Sequence, residues 1–325
     1  MPCYDLRPAL PSGRINTKTG KQSYIFIERW TAHRYNPDSL TWLPCRQCTN
    51  CRLRKSAEWG ARCLHEASLY DRNCFITLTY SPKFLPKDGS LKERHFKLFM
   101  KRLREKFPGD SCVPVFDKQT GLMKDTYPIR FYHCGEYGDK FSRPHYHAIL
   151  FNFDFLDKTF WKMSESGHPL YISKSLQRLW RYGYSSIGDV TFDSAAYVAR
   201  YSLKKINGKA KADHYRRIDS VTGESYQIKP EYSTMSRKPG VAKRWIEQFH
   251  NDVYPHDHIV VNGIEMQPPS YYDSHYELIY PDDYVEMKLR RKEKALKRID
   301  NLDDLRSNVV EKVAKAKQSM FIRDF

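Results

Sequence analysis

His145 and His147 stand two residues apart in Pro144-His145-Tyr146-His147-Ala148-Ile149-Leu150-Phe151, a run whose content predicts a strand. Alternate residues of a strand share a face, so both imidazoles can reach one ion. Glu136 lies nine residues upstream of His145, across a turn, where its carboxylate can join the same face. Two histidines and a carboxylate leave coordination positions open for water or a phosphate oxygen. His133 is a rival third ligand. Among twelve His a lone His-x-His is weak evidence, and a strand His is often only packed. The combination with a carboxylate one hairpin away and a later Tyr pair carries more.

That pair lies in Ala196-Tyr197-Val198-Ala199-Arg200-Tyr201-Ser202-Leu203-Lys204-Lys205. Tyr197, Tyr201 and Lys205 are four apart and share one helical face, with Lys204 close by. In a chain with 23 Tyr the spacing recurs by chance, as Tyr272, Tyr276, Tyr280 and Tyr284 illustrate, but Pro281 interrupts any single helix there. A phenol of ordinary pKa near 10 needs activation to act as a nucleophile. Lys204 or Lys205 could stabilise a phosphate or a phenolate; a solvated basic helix face is the plain alternative.

A third cluster is Cys45-x-x-Cys48-x-x-Cys51. Such short spacings suit a metal better than disulfides. Cys3, Cys63 or His65 could complete a tetrahedral Zn²⁺ site; an iron-sulfur cluster and free thiols are the competing readings.

The elements that must position these groups are legible in outline. Residues 1 to about 50 are loop-rich, with one apolar run at Tyr24-Ile25-Phe26-Ile27, and a helix is expected from Arg52 to Tyr70. Then come a strand at Cys74–Tyr80, an amphipathic basic helix at Leu91–Phe107, and strands at Ile129–Glu136 and Pro144–Phe153 around turn residues 138–140. A helix near Leu176–Tyr182, a strand near Ser186–Thr191 and a helix from Ser194 to about Ile206 complete the series. The order β-α-β-β-α-β predicts an α+β, ferredoxin-like arrangement on an antiparallel sheet. Beyond Gly208 a basic hairpin (Tyr215–Ile218 with Tyr226–Ile228), a basic loop at Met235–Gly240 and a charged helical tail from Asp283 to Ala316 are expected. We divide the chain into a Cys-rich basic element (1–70), a core (71–207) and a basic extension, helical near its end (208–325).

The 325 residues can bury a core without disulfides. With 55 Lys+Arg against 38 Asp+Glu the formal charge is +17, alongside 23 Tyr, 17 Phe and 6 Trp. Basic charge mixed with aromatics suits a polyanion with stackable bases, although surplus Lys also serves solubility. Candidate phosphate contacts are Arg52, Arg54 and Lys55; Lys97, Lys101, Arg102 and Arg104; and Arg237 and Lys238. No phosphate-loop motif is present, so no ATPase or helicase is expected. No apolar run approaches a membrane span and the first residues are unlike a signal peptide, so a soluble cytoplasmic protein with no membrane partner is expected.

Taken co-linearly, Leu43-Pro44-Cys45, Phe75-Ile76-Thr77-Leu78-Thr79-Tyr80, Phe99-Met100-Lys101-Arg102-Leu103, His133-Cys134-Gly135-Glu136-Tyr137-Gly138, Arg143-Pro144-His145-Tyr146-His147, Tyr197-Val198-Ala199-Arg200-Tyr201 and Met235-Ser236-Arg237-Lys238-Pro239-Gly240 resemble the HUH endonucleases. Within them the likeness is to the replication initiators of microviruses of the gokushovirus type, and it spans most of the chain. It implies that His145 and His147, with Glu136, bind Mg²⁺ or Mn²⁺. It also implies that a Tyr hydroxyl nicks single-stranded origin DNA, leaving a 3′-OH and a 5′-phosphotyrosine that is later religated, two tyrosines alternating through rolling-circle replication. It favours Cys3 as fourth ligand of the Cys cluster, and it places the protein in a bacterial host's cytoplasm, where a host helicase and polymerase would be partners. Competing readings are a transposase or relaxase of the same chemistry, a non-haem iron oxygenase, and a non-catalytic zinc-stabilised DNA-binding protein.

Overall fold

The computed structural model describes the chain apart from residues 1–2, 4, 18–21, 117–119, 127, 139–140, 203–210, 220–221, 297–308, 310, 314 and 317–325. It divides into two compact units, Met1–Lys55 with Arg291–Phe321, and Ser56–Arg290 with Ile322–Phe325. Among the described residues no helix is long and apolar enough to cross a membrane.

The first unit holds a three-stranded antiparallel sheet of β1 (Leu6–Ile15), β2 (Gln22–Phe26) and β3 (Thr41–Pro44), in the order β2-β1-β3. The apolar run at 24–27 therefore does supply a strand. Leu6 pairs with Pro44, and this register sets the residues preceding β1 beside those that follow β3.

Helix α1 (Thr49–Ala67) leads to β4 (Asn73–Tyr80), α2 (Glu93–Lys106), the hairpin β5 (Val113–Phe116) and β6 (Met123–Thr126), and strands β7 (Arg130–Tyr137) and β8 (Pro144–Phe151). A second hairpin, β9 (Lys158–Met163) and β10 (Pro169–Ser173), precedes α3 (Lys174–Leu179), β11 (Gly183–Gly188) and α4 (Phe192–Ser202). With the two hairpins set aside, the order is β4-α2-β7-β8-α3-β11, and those strands stand β7-β8-β4-β11 in the sheet, each neighbouring pair antiparallel. The β9–β10 hairpin extends one edge and β14 (Tyr232–Met235) the other, giving seven strands in the order β14-β7-β8-β4-β11-β10-β9.

Strand alternation sorts the side chains into two layers. On one face Ile76, Leu78, Tyr146, Ala148 and Leu150 pack against Phe96, Phe99, Met100 and Leu103 of α2 and Leu176 and Leu179 of α3. On the other, Phe75, Tyr132, Cys134, Ile149 and Phe151 pack against Cys63 of α1 and Ala195, Tyr197, Val198 and Ala199 of α4. The sheet is thus covered on both sides, and the core is α+β.

Element boundaries differ from the sequence expectation by up to three residues, and two of the differences have a visible cause. Helix α3 stops at Leu179, before Tyr182, because Trp180 turns inward to donate its indole N–H to the Thr79 carbonyl (3.0 Å). Strand β11 starts at Gly183, three residues earlier than expected. Gly183 has φ +155°, and a Cβ there would lie 2.2 Å from the Ser81 nitrogen, so glycine alone lets β11 lie alongside the end of β4.

After α4 come a one-turn helix α5 (Lys211–His214), the hairpin β12 (Arg216–Ile218) and β13 (Ser225–Gln227), and β14 (Tyr232–Met235). The hairpin lies where expected; β14, for which the sequence predicts no strand, pairs with β7. Helix α6 (Lys243–Val253), the hairpin β15 (Ile259–Val261) and β16 (Ile264–Met266), α7 (Ser270–Ile279) and α8 (Pro281–Leu296) follow. Pro281 separates α7 from α8, and much of the expected tail beyond Leu296 lies outside the described residues.

Candidate metal centre

Pairing of β7 with β8 places Glu136 directly opposite His145 and Cys134 opposite His147. Cross-strand partners share a face, so carboxylate and imidazoles converge by register alone. Glu136 Oε1 lies 2.7 Å from His145 Nε2 and 2.9 Å from His147 Nε2. One ligand atom from each of the three lies within 4.8 Å of the others. Glu136 and His147 are almost fully buried, at 1% and 2% side-chain exposure, while His145 retains 18%.

Each imidazole is oriented by its other nitrogen. His145 Nδ1 donates to the Arg143 carbonyl (3.1 Å), and His147 Nδ1 lies 3.0 Å from the Thr77 hydroxyl. Both Nε2 atoms are thereby turned toward Glu136, the outer-shell pattern that fixes metal-binding histidines. His145 has an acceptor at each nitrogen, so its Nε2 must carry either a proton or a cation. Burial alone would raise the Glu136 carboxyl, but the hydrogen bonds from His145 and His147 outweigh it and hold it below the ordinary carboxylate range. The second carboxylate oxygen, Oε2, is buried with no hydrogen-bond partner. A buried anion with an orphaned oxygen and two nitrogen donors in reach fits a divalent cation.

His133, the rival ligand, is three residues from Glu136 and so faces the opposite layer. It stacks on Phe96 with centroids 3.4 Å apart and bonds the Thr234 hydroxyl through Nδ1 (2.9 Å); burial holds it well below the ordinary histidine range. Alternation along β7 carried that signal.

Helix α4 packs over the triad's layer. Its Tyr197 ring meets His147 edge to face, centroids 5.2 Å apart at 85°, and Phe75 of β4 stacks on His147 (5.6 Å). Tyr197 is buried, 7% exposed. Tyr201 follows one turn on in α4; its side chain lies outside the described residues, as do Lys204 and Lys205.

In the first unit Cys3, Cys45, Cys48 and Cys51 come within 4.8 Å of one another through their sulfurs, all half-buried. Cys3 Sγ lies 3.5 Å from Cys45 Sγ and 3.8 Å from Cys48 Sγ. The amides of Gln47 and Cys48 donate to Cys45 Sγ (3.4 and 3.2 Å), and that of Cys45 donates to Cys3 Sγ (3.3 Å). These four thiols could hold a metal ion. The other two candidates for the fourth place are used elsewhere: Cys63 is fully buried against the sheet, and His65 stacks on Trp245 and bonds the Tyr272 hydroxyl.

The expected phosphate contacts are dispersed. Arg52, Arg54 and Lys55 lie early in α1, the last two exposed. Arg102 donates through two nitrogens to the Leu179 carbonyl (3.1 and 2.8 Å), and Arg104 does the same to Ile129. Lys97 and Lys101 pair along the helix with Glu93 and Glu105. Helix α2 covers the layer opposite the triad, so its cations lie across the sheet from it. Arg237 and Lys238 are exposed on a loop whose Pro239 and Gly240 carbonyls accept from Arg130 (2.8 and 3.2 Å). Arg130 pairs with buried Glu66, whose Oε2 accepts from the Ala242 amide (2.6 Å). Sequence reasoning missed this clasp and the orienting role of Thr77.

A family model described as replication-associated protein ORF2/G2P matches residues 73–206, from the start of β4 to just past α4. The chain is 36% identical over 269 residues to replication-associated protein VP4 of Bdellovibrio phage phiMH2K, covering 80% of this chain and 78% of that protein. It is 32% identical over 268 residues to replication-associated protein ORF2 of Spiroplasma virus 4, covering 79% and 74%. A third relative, replication-associated protein ORF4 of Chlamydia phage 1, is 32% identical over 175 residues, covering 50% and 38%. No solved structure matches.

Proposed function

Because the chain belongs to the replication-associated proteins of small phages, we propose that it initiates rolling-circle replication as an HUH endonuclease, nicking and rejoining single-stranded origin DNA through a tyrosine. The observation that carries this reading is the buried Glu136–His145–His147 group with the Tyr197 ring packed on His147. The strand order β7-β8-β4-β11 supports a ferredoxin-like nuclease core within residues 71–207.

Glu136, His145 and His147 would hold Mg²⁺ or Mn²⁺. When bound, such an ion polarises the scissile phosphate and offsets charge developing on its oxygens. Thr77 and the Arg143 carbonyl keep the imidazoles aimed. Helix α4 excludes water from one side of the group and carries the nucleophile. The hydroxyl of Tyr197 or Tyr201 forms a bond to phosphorus as the bond to the 3′-oxygen breaks; the phenol loses its proton and the 3′-oxygen gains one. The phosphotyrosine conserves the energy of the broken linkage, so a 3′-OH can reseal the strand without ATP. Lys204 and Lys205 follow the tyrosines and serve the phosphate or phenolate charge. Arg52, Arg54, Lys55, Arg237 and Lys238 contact the DNA backbone, and host helicase and polymerase supply unwinding and synthesis.

Cys3, Cys45, Cys48 and Cys51 hold a Zn²⁺ ion in this reading, the amide N–H···S bonds offsetting thiolate charge. Metal analysis of the purified protein should find one zinc per chain, lost in a Cys48→Ser variant.

The deciding experiment incubates the protein with origin-containing single-stranded DNA and Mn²⁺, then denatures it. A covalent protein–DNA adduct is expected. Adduct at the wild-type level from a Tyr197→Phe, Tyr201→Phe double variant overturns the assignment.

A further inference from the structure

Across the sheet, cover over the triad's layer thins row by row. Tyr132, Ile149, Phe75 and Gly188 form one cross-strand row, sealed beneath α1 and α4. Cys134, His147, Thr77 and Ser186 form the next, buried at β7 and β8 but half-buried at β4 and β11. In the third, Glu136, His145, Thr79 and Tyr184, exposure climbs from 1% at Glu136 to 63% at Tyr184. A floor of small hydroxyls, Thr77, Thr79 and Ser186, therefore leads from the two histidines to an exposed aromatic ring. Two strand spacings separate His145 from Tyr184, about 10 Å.

This ring is on β11, opposite Thr79 of β4 and three residues before Ile187, the position at which β11 pairs with β10. A large aromatic ring left open in the row of the triad calls for an account, since aromatic side chains are mostly buried. Its place is fixed by the neighbouring Gly183, whose missing Cβ allows close approach to Ser81. Hydroxyls that can bond phosphate oxygens, ending at a ring that can stack a base, make a track for a single nucleic-acid strand.

We propose that Tyr184 is a positioning residue whose ring stacks a base of the single-stranded DNA beside the scissile phosphate, laying the backbone over Thr79 toward His145 and His147. The proposal rests on the nuclease reading above for its substrate.

The test is fluorescence anisotropy of a fluorescein-labelled single-stranded oligonucleotide in EDTA, which reports binding without cleavage. Tyr184→Ala should weaken binding by about tenfold, and Tyr184→Phe should bind as the wild type does. On the same oligonucleotide made abasic throughout, the Ala defect should vanish, because nothing is left to stack. Wild-type binding by Tyr184→Ala, an equal loss in the Phe variant, or an equal Ala defect on the abasic strand each overturns the proposal. Failure of the wild type to cleave with Mn²⁺ instead removes the nuclease reading and leaves the anisotropy result standing.

Discussion

His147 and Tyr197 meet edge to face, with ring centroids 5.2 Å apart, joining a strand residue of the candidate metal group to the helix that carries the tyrosine pair. The contact uses the ring, whereas the proposed chemistry uses the hydroxyl. Tyr197→Phe should therefore keep the ring contact with His147 and remove one attachment point. Peptide mapping of the DNA adduct from that variant should find phosphotyrosine at Tyr201 alone. Tyr197→Ala removes the ring as well and should cost about 3 kcal/mol. Equal urea midpoints for the Ala and Phe variants would contradict the packing role.

Thr77 touches His147 Nδ1 and not the carboxylate. Thr77→Val keeps the β-branched shape on β4 and deletes that hydrogen bond, so it should lower Mn²⁺ affinity by about ten- to a hundredfold with the fold intact. Calorimetric titration of Mn²⁺ against the wild type reads this directly. An unchanged affinity would mean that packing by Phe75 and Tyr197 suffices to aim the imidazole.

The triad was legible because it depends on period-two alternation across one hairpin, and the same counting separates His133 from Glu136. Helix α2 was legible from Phe96, Phe99, Met100 and Leu103 at helical spacing. Strand β9 was not, because its residues are largely exposed, and neither was the five-residue β10, whose buried and exposed positions do not alternate. Strand β14 is short and half-buried, and its pairing with β7 is a long-range event that no local pattern encodes. Nor can composition separate an arginine that binds phosphate from Arg102, whose guanidinium caps the carbonyl of Leu179. The fourth thiol, Cys3, is brought to Cys45 by the β1–β3 register, a relation between segments 42 residues apart.

Arg130 links buried Glu66 to the loop bearing Arg237 and Lys238. Arg130→Met should destabilise the protein by about 3–5 kcal/mol, because it strands a buried carboxylate, and adding Glu66→Leu should recover much of the loss. Urea denaturation of both single variants and the double variant measures the coupling; additive losses would deny it. Replacing Arg237 and Lys238 together by Ala should make the dependence of log affinity on log salt shallower by about 1.4 for single-stranded DNA. An unaltered slope would take the loop off the DNA path.

His65 supplies the pH prediction. It is 9% exposed, stacks on Trp245 with centroids 3.6 Å apart, and its Nδ1 lies 2.8 Å from the Tyr272 hydroxyl. Burial pushes its pKa down to about 4 from an ordinary 6.5, so the folded protein keeps the ring neutral where the unfolded chain would take a proton. The unfolded state thus binds more protons between those two values. Stability from this site is complete above about pH 6.5 and falls as the pH drops toward 4, by about 3 kcal/mol in all. Other titrating groups contribute equally to the wild type and to a His65→Gln variant, so the difference between their pH profiles isolates this ring. Urea denaturation at intervals from pH 7 to pH 4 should show a shallower decline in the variant, whatever its absolute stability. Parallel profiles would mean that His65 is protonated in the folded protein, which the stacked, Tyr272-bonded geometry does not accommodate without opening the packing of α1 against α6 and α7.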